Sequence, residues 1–286
     1  MGVESFKPVI WSSSIIADIA KKLVYGNIAH RDFEGEVVSG NSLKLSELGD
    51  ITVSDYTDSS GLTWQDLDGT VRELKIDQQK AFSVNVPDID KIQSKPNLMA
   101  AASAKAAHAI VDAVDQYIAK LYDEAGALDS SNLGSVGSAV AVYGTDMPEV
   151  LSYMHTALDE NNAPRDGRWV VASPLIAQYL VYGNVVQGAG FDNPNAGALS
   201  TGQIARTMGF DIFMSNNVQS ASSSEIYISF GTRDALAYVG QVETIETVRR
   251  ESYFMDGLRG LYVFGAKAMR PDHLGLAVLN PSGMST

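Results

Sequence analysis

Glu73–Val86 (ELKIDQQKAFSVNV) places Leu74, Ile76, Phe82, Val84 and Val86 on even positions, with Glu73, Lys75, Asp77, Gln79, Ser83 and Asn85 between them. A period of two is the pattern of a strand with one apolar face. Upstream, Val37, Leu43, Leu45, Ile51 and Val53 alternate in the same way on odd positions. Between the halves lies a polar, glycine-bearing turn at 55–70 (DYTDSSGLTWQDLDGT). Residues 31–90 therefore predict one long two-stranded arm. An isolated hairpin is marginal in water, so its apolar face needs a cover from outside the arm. Another copy of the chain is the expected cover, with Phe82, Val84, Val86, Leu43 and Leu45 as contact candidates.

The arm is also acidic. Arg31, Lys44, Arg72, Lys75 and Lys80 stand against thirteen Asp and Glu, a net charge of −8. Most of these carboxylates make a solvated face, and their density opposes edge-to-edge aggregation. Where the arm docks it needs basic partners. Arg249-Arg250 is the notable basic pair near the C-terminus and the first candidate, against the plainer reading of a surface ion pair.

The flanking chain carries a different pattern. Residues 12–25 predict a short amphipathic helix, with Ile15, Ile16, Ile19 and Leu23 on one stripe and Gly26 as its stop. Residues 96–125 predict the longest helix, entered at Pro96 and closed by Gly126. Ile110, Val114, Ile118 and Leu121 form its stripe among many alanines. At 1.5 Å per residue it would span about 45 Å, a spine across the subunit. Residues 127–240 alternate short strands and helices. They include a buried strand at 169–172, a helix begun by Ser173-Pro174, a long loop at 188–202, and strands at 211–214 and 226–230. The C-terminal third returns to β structure. Leu258–Met269 is apolar on both faces and hence predicted to be buried, and His273–Leu279 is a last strand expected to pack on the long helix with the rest of this third.

The whole chain has 286 residues and a net charge of −13, which argues against a sequence-independent nucleic-acid binder. It has no cysteine, so disulfides and Cys-ligated metal sites are excluded. The N-terminus does not read as a signal peptide, and no apolar run reaches membrane-spanning length. Catalytic motifs are absent. His30, His108, His155 and His273 are widely spaced, with no HExxH, nucleophile elbow, P-loop or GxGxxG. Asp66, Asp68 and Gly69 lack the rest of a calcium loop. No catalytic, metal or cofactor residue is assigned, and the chain is not expected to be an enzyme. Its unusual features are an arm, a separate N-terminal helix and a spine, which are features of assembly.

That order resembles the major capsid proteins of tailed bacteriophages. Asp166–Pro174 (DGRWVVASP) is similar to the family's strand-to-helix segment. Met208–Val218 (MGFDIFMSNNV) resembles its G-F-x-V-x-x-S-N-N-V run. Glu246–Pro271 (ETVRRESYFMDGLRGLYVFGAKAMRP) resembles its C-terminal G-L-x-V-Y-G-A-K-V-x-R-P stretch. The resemblance implies an α+β, Hong Kong-97-type capsid fold with four parts. These are an N-terminal arm (1–30), an extended hairpin or E-loop (31–90), a peripheral domain built on the spine helix (91–126 and 241–286), and an axial domain (127–240). It implies self-assembly into pentamers and hexamers of an icosahedral head, found in the virion and assembled in the host cytoplasm. The head would enclose double-stranded DNA without sequence-specific binding. A portal is implied as a partner, with a decoration protein left open. Some relatives carry an N-terminal scaffolding segment. Here the arm begins near Met1, so a separate scaffolding protein, or none, is expected. Some relatives also crosslink an arm lysine to a distant Asn. Lys44, Lys75 and Lys80 are available, but no crosslink is carried over. The alternatives are an encapsulin-like compartment and, less in keeping with the motifs, a soluble hydrolase with a site around Asp166 and Ser173.

Overall fold

Seven alanines between residues 100 and 109 favour helix and let neighbouring chain approach closely. In the computed structural model they fall in helix α2 (Leu98–Ala119), which tightens into a 3-10 turn at Lys120–Glu124. The structure describes residues 23–32, 42–48, 53, 66, 69–87, 98–183, 203–222, 224–249 and 255–281. The 12–25 helix predicted from sequence lies mostly outside these residues, as does the 188–202 loop. Within them, a one-turn helix α1 (Tyr25–Ile28) includes Gly26, which continues the turn instead of stopping it. Ile110, Val114 and Ile118 of α2 are buried, and Leu121 packs half-buried against the same cluster. Gly126 follows for a packing reason: a Cβ there would lie 2.9 Å from the Pro271 backbone.

Two sheets meet at this helix. The first has three antiparallel strands in the order β10 (Leu236–Arg249), β11 (Met255–Ala268), β3 (Gln78–Pro87). Its buried face presents Leu258, Tyr262, Phe264 and Tyr238 to Ile110, Val114 and Ile118 of α2. Phe264 meets the Tyr117 ring edge to face, 5.4 Å between centroids. On the other face, Leu261 and Val263 are only half-buried. The expectation that Leu258–Met269 is buried on both faces is thereby corrected for this stretch: α2 covers one side of β11 only.

The second sheet has seven strands: β4 (Val140–Val142), β12 (Leu274–Pro281), β9 (Glu225–Thr232), β5 (Arg168–Ala172), β7 (Phe210–Met214) and β6 (Gln203–Thr207), with β8 (Ser220–Ser222) pairing β9. Helices α3 (Met147–Glu160) and α4 (Pro174–Tyr182) pack on it. Strand β5 is buried along its whole length because it divides two cores. Trp169 and Val171 face the α2 cluster, while Val170 and Ala172 face α3 and α4. As the sequence predicts, Ser173 then caps α4, its hydroxyl accepting from the Ile176 N–H, with Pro174 in the first turn.

The last strand begins on the long helix, where Leu274 joins the α2 cluster. Its sheet is the larger one, in which β12 runs antiparallel to β9 and parallel to β4. Ala277 and Leu279 join the α3–α4 core, whereas Leu276 and Val278 pack with Tyr227 beside Tyr122, just past the end of α2. An apolar strand that is buried on both faces carries no sequence mark of which sheet will take it.

Candidate assembly interface

The arm is built in two steps where one continuous ribbon was predicted. Strand β1 (Ser42–Leu48) pairs antiparallel with β2 (Gly69–Lys75), setting Leu43 opposite Leu74 and Leu45 opposite Arg72. After Ile76 and Asp77 the chain changes partner, and β3 adds to the edge of β11. Leu74 is fully buried against Ala237, Val239 and Met269, with Ile76 beside it. Phe82 stands opposite Gly260 and packs half-buried on the α2 cluster; Val84 stands opposite Leu258 and is also half-buried. The period-two face is real, but the chain itself covers Leu74 and much of Phe82. The phase runs unbroken through the change of partner, so alternation alone could not reveal it. Val86 is in register with Asp256.

At the arm's root, Glu73 is held below the usual carboxylate range, first by a hydrogen bond from the Ser42 hydroxyl on the facing strand. Lys75 lies 3.7 Å from Glu73 in an exposed pair. Arg249 is exposed near the far end of β10, opposite Asp256 of its own hairpin. Arg250 lies outside the described residues. Farther along the same ribbon, Arg259 grips Glu246 through Nε and Nη2 at 2.9 and 2.5 Å.

The sequence reading missed a second apolar surface. Tyr143 is 52% exposed, and Val181 and Tyr182 at the end of α4 are 52% and 62% exposed. They come together because Gly144 lies against Tyr182, whose Cβ would be 2.9 Å from a Cβ at that glycine. Tyr143 and Val181 are 38 positions apart in the chain, so no local pattern marks the patch.

Another unpredicted feature joins α3 to the larger sheet. Arg168 is fully buried, and each guanidinium nitrogen has an acceptor: Nε the Pro164 carbonyl at 2.9 Å, Nη1 the His155 Nδ1 at 2.6 Å, and Nη2 the Ala163 carbonyl at 2.8 Å and Asp159 at 2.5 Å. Because Nδ1 of His155 accepts, its Nε2 carries the proton and donates to the Met208 carbonyl. Met208 and Gly209 both have positive φ, +48° and +79°, in the two-residue turn between β6 and β7. The Arg168 hydrogen bond is the main cause holding Asp159 below the ordinary carboxylate range.

These groups are engaged in packing and capping contacts. Ser173 is a helix cap, His155 is spent on Arg168 and Met208, and His108 is exposed on α2. Among the described residues no group of His, Asp and Glu is placed to hold a metal ion, and no helix is long and apolar enough to cross a membrane.

Known proteins match this architecture. A chain of Mycobacterium phage Che8 superposes with a TM-score of 0.71 at 27% identity, over 89% of this chain and 90% of its own. The capsid of Ralstonia phage GP4 gives 0.64 at 12% identity, over 90% and 88%. The capsid of cyanophage P-SCSP1u gives 0.63 at 18%, over 86% and 85%. No curated protein matches the sequence. The family model described as phage capsid protein matches residues 70–279, from β2 into β12. This chain therefore belongs to the phage capsid protein family, a structural protein of the virion.

Proposed function

We propose that the chain is the major capsid protein of a tailed phage, assembling into pentamers and hexamers of an icosahedral head around double-stranded DNA. The observation that carries this reading is the family match from β2 into β12, joined to a fold in which a polar strand pair hangs from the subunit's core at β10 and β11. In this reading residues 1–30 form the N-terminal arm and 31–90 the E-loop of a Hong Kong-97-type subunit. The peripheral domain comprises 91–126 and 241–286, and the axial domain 127–240, with two revisions: β3 works with the peripheral sheet and β12 with the axial one.

Contacts between copies are assigned to the β1–β2 hairpin, with Leu43 and Leu45 on β1 and Val84 and Val86 on the outer strand of the three-stranded sheet. Phe82 contributes less, since its own core takes much of its surface. Arg249 and Arg250 are the basic groups proposed to receive a neighbour's acidic arm. A scaffolding protein and a portal are the further partners, with assembly in the host cytoplasm. The net charge of −13 suits a wall that confines DNA without binding it.

Particles purified from phage-infected cells provide the test. Nuclease-resistant double-stranded DNA should co-purify with this chain as the most abundant protein. Particles filled with an enzyme and free of DNA would favour the encapsulin-like alternative and overturn this reading.

A further inference from the structure

Leu23–Asp32 joins residues 1–22 to the E-loop in sequence and packs on the subunit core. Its apolar side chains Leu23, Tyr25, Ile28 and Ala29 are buried in the α2 cluster. Burial does not fix a backbone direction, and α1 has no cap of its own: Val24 occupies the cap position and makes no side-chain bond. The cap comes from ninety residues away. Asp115, toward the C-terminal end of α2 and 2% exposed, accepts the Val24 N–H on Oδ2 at 2.9 Å, and the Tyr25 and Gly26 N–H groups on Oδ1 at 3.1 and 3.3 Å. Next, His30 forms a parallel bridge at the start of β10. Its N–H donates to the Leu236 carbonyl at 2.8 Å, and its carbonyl accepts from Tyr238 at 3.1 Å. The Arg31 guanidinium lies 5.8 Å from the centre of the Tyr238 ring.

A buried carboxylate is a costly way to stabilise a core, because three backbone N–H groups only partly replace its hydration. What it supplies is direction. Two oxygens at fixed spacing hold three successive amides, which sets the angle at which the chain crosses α2. We propose that Asp115 is a positioning residue for assembly: it sets the point and direction from which both arms leave the subunit, so that altering it disturbs shell formation while the subunit still folds. This rests on the reading that the chain forms shells.

Asp115→Asn is the test, because it keeps the shape but turns one acceptor into a donor facing an N–H. The unassembled variant should show wild-type circular dichroism and cooperative unfolding. Hydrogen exchange over Leu23–Ala29 should speed up about fivefold to tenfold, the loss expected for one such bond. Trypsin should cut faster after Arg31, and the yield of closed shells, with scaffold if required, should fall several-fold. Asp115→Ala, which removes all three bonds, should show the same effects more strongly. Equal exchange and equal shell yield in Asp115→Asn and wild type would overturn the inference. So would loss of folding in both variants, which would make Asp115 a folding residue. Wild type that forms no shell counts against the shell reading instead, and the exchange measurement on subunits still decides whether Asp115 anchors the junction.

Discussion

Proton uptake by Asp115 should make the subunit more stable in mild acid, an effect that Asp115→Asn should abolish. Burial is the largest influence on this carboxyl. It outweighs the three N–H bonds and pushes the pKa from the ordinary 3.8 up to about 6, with Asp112 adding to the rise. Between those values the folded protein keeps a proton that the unfolded chain has released, so raising the pH favours unfolding. The contribution is complete below about 3.8 and gone above about 6. A shift of roughly two units corresponds to about 3 kcal/mol. Asp159 and Glu73 work in the opposite direction. Both are held below the ordinary range, so their stabilisation is lost as the pH falls. A single pH series would mix these effects, whereas the difference between wild type and Asp115→Asn cancels them. Urea unfolding of the unassembled subunit can be followed by fluorescence, to which Trp169, buried between the two cores, contributes. The unfolding free energy of wild type minus that of the variant should fall by roughly 2 to 2.5 kcal/mol from pH 4 to pH 7, the remainder lying below pH 4. A flat difference, or one that rises with pH, would refute the argument that burial dominates at this site.

Four further substitutions test the packing. Phe264→Ala removes a fully buried ring that meets Tyr117, and should cost about 3–5 kcal/mol in urea unfolding. Val263→Asp, on the half-buried opposite face of β11, should leave a folded subunit by circular dichroism. Gly265→Ala places a methyl group against the Lys75 carbonyl, which is backbone and cannot swing away. It should push the hairpin root off β11, seen as faster hydrogen exchange in β2 with the larger sheet unchanged. Arg168→Met leaves His155 Nδ1 and the Pro164 and Ala163 carbonyls without their donor, while Asp159 keeps Arg165 at 3.0 Å, and should lower stability by about 3 kcal/mol, measured by urea unfolding.

Local physics made several elements legible in the sequence. The Ile110, Val114, Ile118 stripe marked the spine helix, Ser173-Pro174 marked the start of α4, and the apolar run at 169–172 marked a buried strand. What stayed hidden depends on partners distant in sequence. The even-position face from Leu74 to Phe82 was visible, but not that its cover changes from the Ala237–Met269 cluster to the α2 core. His273–Leu279 announced a strand but not its sheet. Asp115 looked like one more polar residue on a helix, because its role depends on Val24, Tyr25 and Gly26 arriving from ninety residues away. Tyr143 and Tyr182 were unremarkable until Gly144 brought them together. Of the contact candidates, Phe82 proved to be spent partly on its own core, which moves attention to the β1–β2 hairpin.

Cryo-electron microscopy of the assembled particle tests the central claim most directly. The account predicts closed shells of pentamers and hexamers built from this chain, with each β1–β2 hairpin lying on a neighbouring subunit near its Arg249. A protein that stays a folded monomer with scaffold present, or shells whose hairpins touch no neighbour, would contradict it.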